Sequence, residues 1–243
     1  MLEGLYAAAA GMAAQQEQLN AVSNDLANVN TDGYKAERVG FEDLLYNQVN
    51  QAGTTTTVGA GAAAHVLGRD EAQGALQQTG QPLDLAIQGP GYFQVKTPSG
   101  QTALTRDGAF TVDGKGQIVS SDGSLLEPPI TLPAKVNQGE VNIAADGTVT
   151  AGKQTLGQIK LVTVPAPEHM LANGQGGFTT TPASGTPTAL SGASMQQGAL
   201  EGSNVDMASE MVSMLGAQRS YQLASSAIQT QNQMLGIANQ LRS

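Results

Sequence analysis

LEGLYAAAAGMAAQQEQLNAVSNDLANVNTDG, residues 2–33, is written around a seven-residue apolar repeat. Leu5, Met12, Leu19 and Leu26 recur at that spacing, and Ala8, Val22 and Val29 follow three of them by three positions. Ala, Leu, Met, Gln and Glu dominate, and these residues favour helix, with Gly4 and Gly11 as weak points. The run Gln15–Gln18 is polar and surface-facing, except that Gln15 falls on the seam. A seven-residue repeat winds helices around one another. The pattern therefore predicts one helix from residue 2 to about residue 30. Asn30-Thr31-Asp32-Gly33 stops it, with Gly33 free to take the positive φ that such a stop requires.

The other end of the chain repeats the theme. Met207, Met214, Tyr221, Ile228 and Leu235 are seven apart, with Ala217, Ala224 and Ala238 in the companion slot. A closing helix is expected from about Ser203. Ser203 and Asn204 are good N-caps, and Asp206 and Glu210 put negative charge at its positive end. All ten prolines lie between Pro82 and Pro187, so both helical ends are free of them. An apolar stripe is ordinarily the face a helix packs on its own domain. Here the seams are narrow, Ala-rich and at opposite ends of the chain, which favours pairing with each other or with neighbouring subunits.

Between the ends the period falls to two. Asp84–Ile87, Tyr92–Lys96, Ala103–Thr105, Ala109–Val112, Val141–Ala144, Thr148–Thr150 and Ile159–Val164 are short alternating runs. Pro98-Ser99-Gly100 and the Asp-Gly pairs at 107, 113, 122 and 146 separate them as turns. This is an all-β domain, either barrel or sandwich. Phe41 to about Val49 reads as a short helical or extended piece anchored by Leu44 and Leu45. Gly53–Ala64 reads as a Gly/Ala/Thr linker, and 165–198 as loop with one strand near Gly177–Thr180. The expected fold class is α+β, with terminal α-helices pairing as a coiled coil around a central all-β domain. The expected divisions are 1–48 helical, 49–80 linker, 81–198 β domain and 199–243 helical.

Composition narrows the function classes. Charged residues make up 13%, aromatics 4%, and there is no Trp, so the ends are too thin to bury themselves unaided. A net charge of −9 with scattered basic residues disfavours nucleic acid and anionic membrane surfaces. The absence of Cys excludes disulfides and thiolate chemistry. No apolar run is long enough to span a membrane. The amino terminus lacks the basic region of a signal peptide and carries Glu3 where one would be apolar, leaving open a dedicated export route that reads an uncleaved end.

Catalytic or cofactor chemistry finds no foothold. His65 and His169 each stand alone in Gly/Pro-rich loops, with no second ligand at helical or hairpin spacing. Asp107–Gly116 has two Asp-Gly pairs but no alternating acids and no closing Glu, so it reads as hairpin turns rather than a calcium loop. Gly59-Ala60-Gly61 and Gly174–Gly177 complete no phosphate-binding pattern and read as flexible loops. No catalytic residue, cofactor or metal is expected.

Ser23-Asn24-Asp25-Leu26-Ala27-Asn28-Val29-Asn30-Thr31-Asp32-Gly33-Tyr34-Lys35 resembles the amino-terminal signature of the bacterial flagellar rod and hook protein family. That signature is close to Ser-Asn-Asn-(Ile/Leu)-Ala-Asn-x-x-Thr-x-Gly-(Phe/Tyr)-Lys, and the chain departs from it at Asp25. Pro82–Gly89, Gly91–Val95 and Thr105–Phe110 resemble the family's central β domain. Leu200–Asp206, Glu210–Val212 and Gln218–Tyr221 resemble its carboxy-terminal block. Ala9–Met12 and Phe41–Tyr46 are most similar to the members at the distal end of the rod. Some of those carry a longer insertion after Tyr46, which leaves a proximal position open.

The resemblance implies a structural subunit of the rod that transmits torque to the hook. Its partners would be further copies of itself in a helical polymer, other rod and hook subunits, and the flagellar type III export apparatus. It would sit in the basal body within the cell envelope. The terminal seams, Leu5, Met12, Leu19, Val22, Leu26 and Val29 against Met207, Met214, Tyr221, Ile228 and Leu235, would form the assembly interface. Asn28, Thr31, Gly33 and Tyr34 would set how the chain leaves the first helix. The competing readings are a secreted β-rich binding module and, with least support, a hydrolase.

Overall fold

The computed structural model describes residues 2–44, 47–51, 54–59, 61–133, 138–174, 176–190 and 192–240. The chain divides into two compact units. One comprises Met1–Ala27, Glu37–Leu67 and Asp206–Ser243; the other comprises Asn28–Ala36 and Gly68–Val205. They are called the helical unit and the β unit below.

In the helical unit, α1 (Leu2–Ala27) packs along α2 (Met207–Gln240). The helices run antiparallel. A Cβ on Gly4 would lie 3.0 Å from the Gln231 side chain, while Asp25, near the end of α1, bears electrostatically on Glu210 in the first turn of α2. Ala14, Ala21, Val22 and Asp25 are the buried side chains of α1, and Ala217 is buried on α2. Small residues at these positions let the helix backbones come close. Tyr6, Ala9, Ala13, Gln16 and Asn20 face outward at three- and four-residue intervals.

Both helix ends depart from expectation. The first helix stops at Ala27, short of residue 30. Thr31 caps the following turn, its N–H donating to the Asn28 carbonyl at 3.1 Å and its hydroxyl to Asn28 Oδ1 at 3.2 Å. The second starts at Met207, not near Ser203. Asp206 is its cap, with Oδ1 accepting the Ala208 N–H at 3.0 Å. Ser203 and Asn204 are engaged elsewhere: Ser203 Oγ accepts the Val205 N–H, and Asn204 is held within the β unit.

The remainder of the helical unit is extended. Strand Glu37–Asp43 pairs with Ala62–Arg69, and Asn47–Gln51 pairs antiparallel with Thr54–Val58. Residues 49–80, expected as a linker, therefore contribute strands. The cause is legible in retrospect, because Thr54–Val58 is a run of β-branched residues. Phe41 and Leu44, the latter read as an apolar anchor of this piece, are exposed; Leu45 and Tyr46 lie outside the described residues, as do Gly53 and Ala60.

The β unit is built from short antiparallel strands. Its largest sheet runs in the order Leu171–Ala172, Gly177–Thr179, Thr102–Thr105, Tyr92–Lys96, Leu125–Leu126, Ile118–Ser120, Phe110–Val112. Leu161–Thr163 also pairs with Tyr92–Lys96 and carries Thr188–Ala189 on its other edge. Val141–Ile143, Thr148–Ala151 and Gln154–Gln158 form a separate three-stranded meander. The Asp-Gly pairs at 113, 122 and 146 are turns, as the sequence predicts, whereas Asp107-Gly108 is irregular chain between Thr102–Thr105 and Phe110–Val112, which do not pair with each other. Asp107, Asp113, Asp122 and Asp146 each accept the N–H two residues on, at 2.9, 2.8, 3.0 and 2.9 Å. The core gathers Leu83, Leu85, Ile87, Phe93, Val95, Phe110 and Ile118 with Val141, Val149, Ile159 and Met195. Phe93 and Phe110 meet edge to face at 5.2 Å.

Residues 165–198 hold more strand than expected. Ser194–Gln197 pairs with Leu85–Gln88, and Ala199–Glu201 with Leu76–Gln78. Ser-Met-Gln-Gln has no apolar alternation to announce a strand; Met195 is its buried residue.

Candidate assembly interface and the buried cluster at the helix stop

The stop after α1 leads into a buried ionic cluster within the β unit. Gly33 has φ of 69°, and its N–H donates to the Glu201 carbonyl at 2.7 Å. Two residues on, Lys35 is 1% exposed, although a lysine side chain ordinarily reaches water. Its ammonium donates to Glu201 Oε1 at 2.6 Å and to the Ala72 carbonyl at 2.7 Å. Glu201 Oε2 accepts from Arg106 Nη1 at 2.9 Å, and Oε1 also accepts the Gly74 N–H at 3.0 Å. The Glu201 carboxylate is fully buried between the two cations. Charge-assisted bonds of this kind hold a buried ion that would otherwise be costly.

The Arg106 guanidinium lies 5.3 Å from the Tyr92 ring centroid. The Tyr92 hydroxyl donates to Glu71. Burial, then that hydrogen bond and the Glu71 charge, push the hydroxyl far above the ordinary phenol range despite Arg106 and Arg69. Asn204 completes the clamp. Its Oδ1 accepts the Ala36 N–H at 2.8 Å, and its Nδ2 donates to the carbonyls of Asp70 and Ala72 at 2.8 and 3.1 Å. Lys35, Arg106, Glu201 and Asn204 lie in the three blocks singled out in the sequence, which the fold brings together. Sequence reasoning gave Lys35, Arg106 and Glu201 no role and read Asn204 as a helix cap; the signal was a Lys, an Arg and a Glu inside otherwise apolar or turn-forming motifs.

The predicted seam residues are distributed as follows. Val22 is buried. Leu5, Met12, Leu19, Leu26, Met214, Ile228 and Leu235 are half-buried, and so, within the β unit, are Val29, Asn28, Thr31 and Tyr34. Met207 and Tyr221 are exposed, and nothing is described for the Ala238 side chain. The companion slots include Glu210 and Gln231, which are polar. A second apolar set on α2 escaped the repeat: Met211, Val212, Leu215, Leu223, Met234 and Ile237 are all exposed, Val212 at 70% and Leu223 at 72%. Spacing by four from Met207 to Met211 to Leu215 could have revealed the first part of it.

At the meeting of the helix ends, burial raises the Glu210 carboxyl pKa, and Asp25 and Asp206 add to the shift. Asp25 is itself buried and accepts the Glu37 N–H at 3.1 and 3.3 Å. In the β unit, burial likewise raises Asp107, although Ala109 and Ser121 donate to it, while Asp32 and Asp122 push it further up. His65 Nε2 lies 3.7 Å from Glu42 Oε1, both side chains being exposed. His169 closes a short 3-10 turn with its N–H on the Ala166 carbonyl. Among the described residues, no group of three or more His, Cys, Asp or Glu is placed to hold a metal, and no helix is long and apolar enough to cross a membrane.

Comparison with known proteins covers the same segments. Residues 5–35 match the family described as flagella basal body rod protein. Residues 86–151 match the flagellar hook protein FlgE/F/G D1 domain, and 196–241 the flagellar basal body rod FlgEFG protein C-terminal family. The flagellar basal-body rod protein FlgG of Borreliella burgdorferi is 39% identical, across 100% of this chain and 99% of its own. FlgG of Caulobacter vibrioides is 39% identical, across 100% of both. The flagellar basal-body rod protein FlgF of Mesorhizobium japonicum is 30% identical, across 91% of this chain and 90% of its own. Full-length identity at this level, together with the matches at both ends and the centre, shows that the chain belongs to the flagellar basal-body rod protein family.

Proposed function

We propose that this chain is a structural subunit of the bacterial flagellar rod, in its distal part, and that it polymerises helically through its terminal helices. The observation that carries the reading is the exposed apolar set on α2 beside a seam already packed on α1. A helix apolar on more than one face calls for more than one helical neighbour. In the polymer, Leu5, Met12, Leu19 and Leu26 with Met214, Ile228 and Leu235 form the coiled-coil seam within a subunit. Met207, Met211, Val212, Leu215, Tyr221 and Leu223 meet the next subunit, and a head-to-tail contact of this sort grows as an open helix. Asn28, Thr31, Gly33 and Tyr34, with the clamp on Glu201, set the path of the chain out of α1.

The distal position is supported by full-length likeness to proteins named FlgG, at a higher identity than to FlgF of Mesorhizobium japonicum. In this reading the partners are further copies, the other rod and hook subunits, and the flagellar export apparatus. The subunit acts in the basal body within the envelope, as a shaft and not as a catalyst. The test is concentration-dependent assembly of purified chain, followed by sedimentation and electron microscopy. Filaments of wild type, lost in Leu215→Glu/Leu223→Glu, support the reading. Filaments of unchanged length and abundance from the double variant would overturn the interface.

A further inference from the structure

Among the described residues, the carboxylate that contacts both Lys35 Nζ and Arg106 Nη1 is that of Glu201. Two buried cations thus face one anion, and that anion comes from the far end of the chain. Lys35 and Glu201 stand 166 positions apart. Arg106 follows directly on strand Thr102–Thr105, which carries the buried Ala103 and Leu104. Closing the β unit around Arg106 therefore buries its guanidinium. Among the described residues, Arg106 Nε has no hydrogen-bond partner. Without Glu201 the buried guanidinium and the Lys35 ammonium would each lose the ion that balances them.

We propose that Glu201 is a folding latch. The core of the β unit stays open until Ala199–Glu201 docks beside Leu76–Gln78 and its carboxylate pairs with Lys35 and Arg106 at once. A chain is made from its amino end, so the latch arrives after nearly all of the β unit. The docked strand is then fastened through its backbone, by Gly33 N–H to the Glu201 carbonyl at 2.7 Å and Gly202 N–H to the Ala75 carbonyl at 2.9 Å. Premature closure is opposed by charge, and completion is sensed at the carboxy-terminal block. This holds whether or not the chain polymerises.

The test is hydrogen exchange by mass spectrometry on the full chain. Glu201→Gln keeps the shape of the side chain and removes the anion. Exchange in residues 83–164 should then rise about 100-fold, because breaking a buried pair leaves its partners uncompensated. Lys35→Met/Arg106→Met/Glu201→Met removes all three charges and should restore protection to within about tenfold of wild type. The latch is overturned if Glu201→Gln frays only 28–36 and 199–205 while 83–164 keeps its protection. It is also overturned if the triple variant exchanges as fast as Glu201→Gln, since packing and not charge would then hold the core. Should Glu201→Gln fail to give folded protein, the triple variant decides alone: protection across 83–164 supports the latch, and its loss sinks it.

Discussion

Gly33 lies so close to Arg106 that a Cβ on the glycine would stand 2.5 Å from the Arg106 carbonyl carbon. Real Cβ atoms do not approach backbone so closely, and the φ of 69° is itself unfavourable for a side chain. Gly33→Ala should destabilise the chain by about 3 kcal/mol, from strain and contact together. Gly123→Ala separates the two. Its φ is 82°, but nothing lies within 4 Å of the added carbon, so about 1 kcal/mol is expected. Urea unfolding of both variants measures the difference; equal losses would show that the approach to Arg106 costs nothing.

Glu210 predicts an acid-side gain in stability. Its carboxyl is raised above 4.5 in the folded chain by burial, then by Asp25 and Asp206, so the folded state binds this proton more tightly than the unfolded state. Stability from this group is therefore present at low pH and is lost as pH rises from 4.5 through the raised folded value. Glu210→Gln should be more stable than wild type at neutral pH, and the gap should close as pH falls through that window. A constant gap across pH 4–8 would contradict the assignment.

Asp25→Asn replaces the residue at which the chain departs from the family signature. Asn keeps one oxygen to accept the Glu37 N–H and removes the charge that bears on Glu210. The Glu210 carboxyl should then titrate lower, as read by NMR. An unchanged titration would mean that burial and Asp206 set it without Asp25.

Leu215→Glu/Leu223→Glu should leave the monomer's unfolding within about 0.5 kcal/mol of wild type per site, because both side chains are exposed. Val22→Ala, in the seam and buried, should cost roughly 2 kcal/mol while leaving the exposed set intact. Stability and assembly should thus separate between the packed and the exposed faces of the paired helices. A large stability loss in the double glutamate variant would place Leu215 or Leu223 inside the monomer's own packing.

The helices were readable because seven-residue periodicity is local, and so were the turns, because Asp and Gly act within four residues of themselves. Tyr92–Lys96 falls where its alternation put it. Ser194–Gln197 was hidden because its pairing with Leu85–Gln88 is set by the backbone and one buried methionine. The strand Ala62–Arg69 was hidden by an Ala-rich composition that also suits a linker. Lys35, Arg106 and Glu201 were each visible, but their meeting depends on long-range pairing that no spacing rule encodes. Ser203 and Asn204 looked like caps by type, and tertiary bonds to Ala36, Asp70 and Ala72 reassigned Asn204.

The course of the chain between its two units has a consequence for heredity. It passes from one to the other at 27/28, 36/37, 67/68 and 205/206. No single uninterrupted stretch of gene encodes either unit whole. A fragment of residues 50–198, the obvious piece to excise, would lack both Lys35 and Glu201. Recombination that trades one unit for a foreign counterpart must therefore succeed at several breakpoints at once. The helical part and the β part are bound to diverge as a single inherited piece, and variation should concentrate in exposed turns such as the one at Gly123.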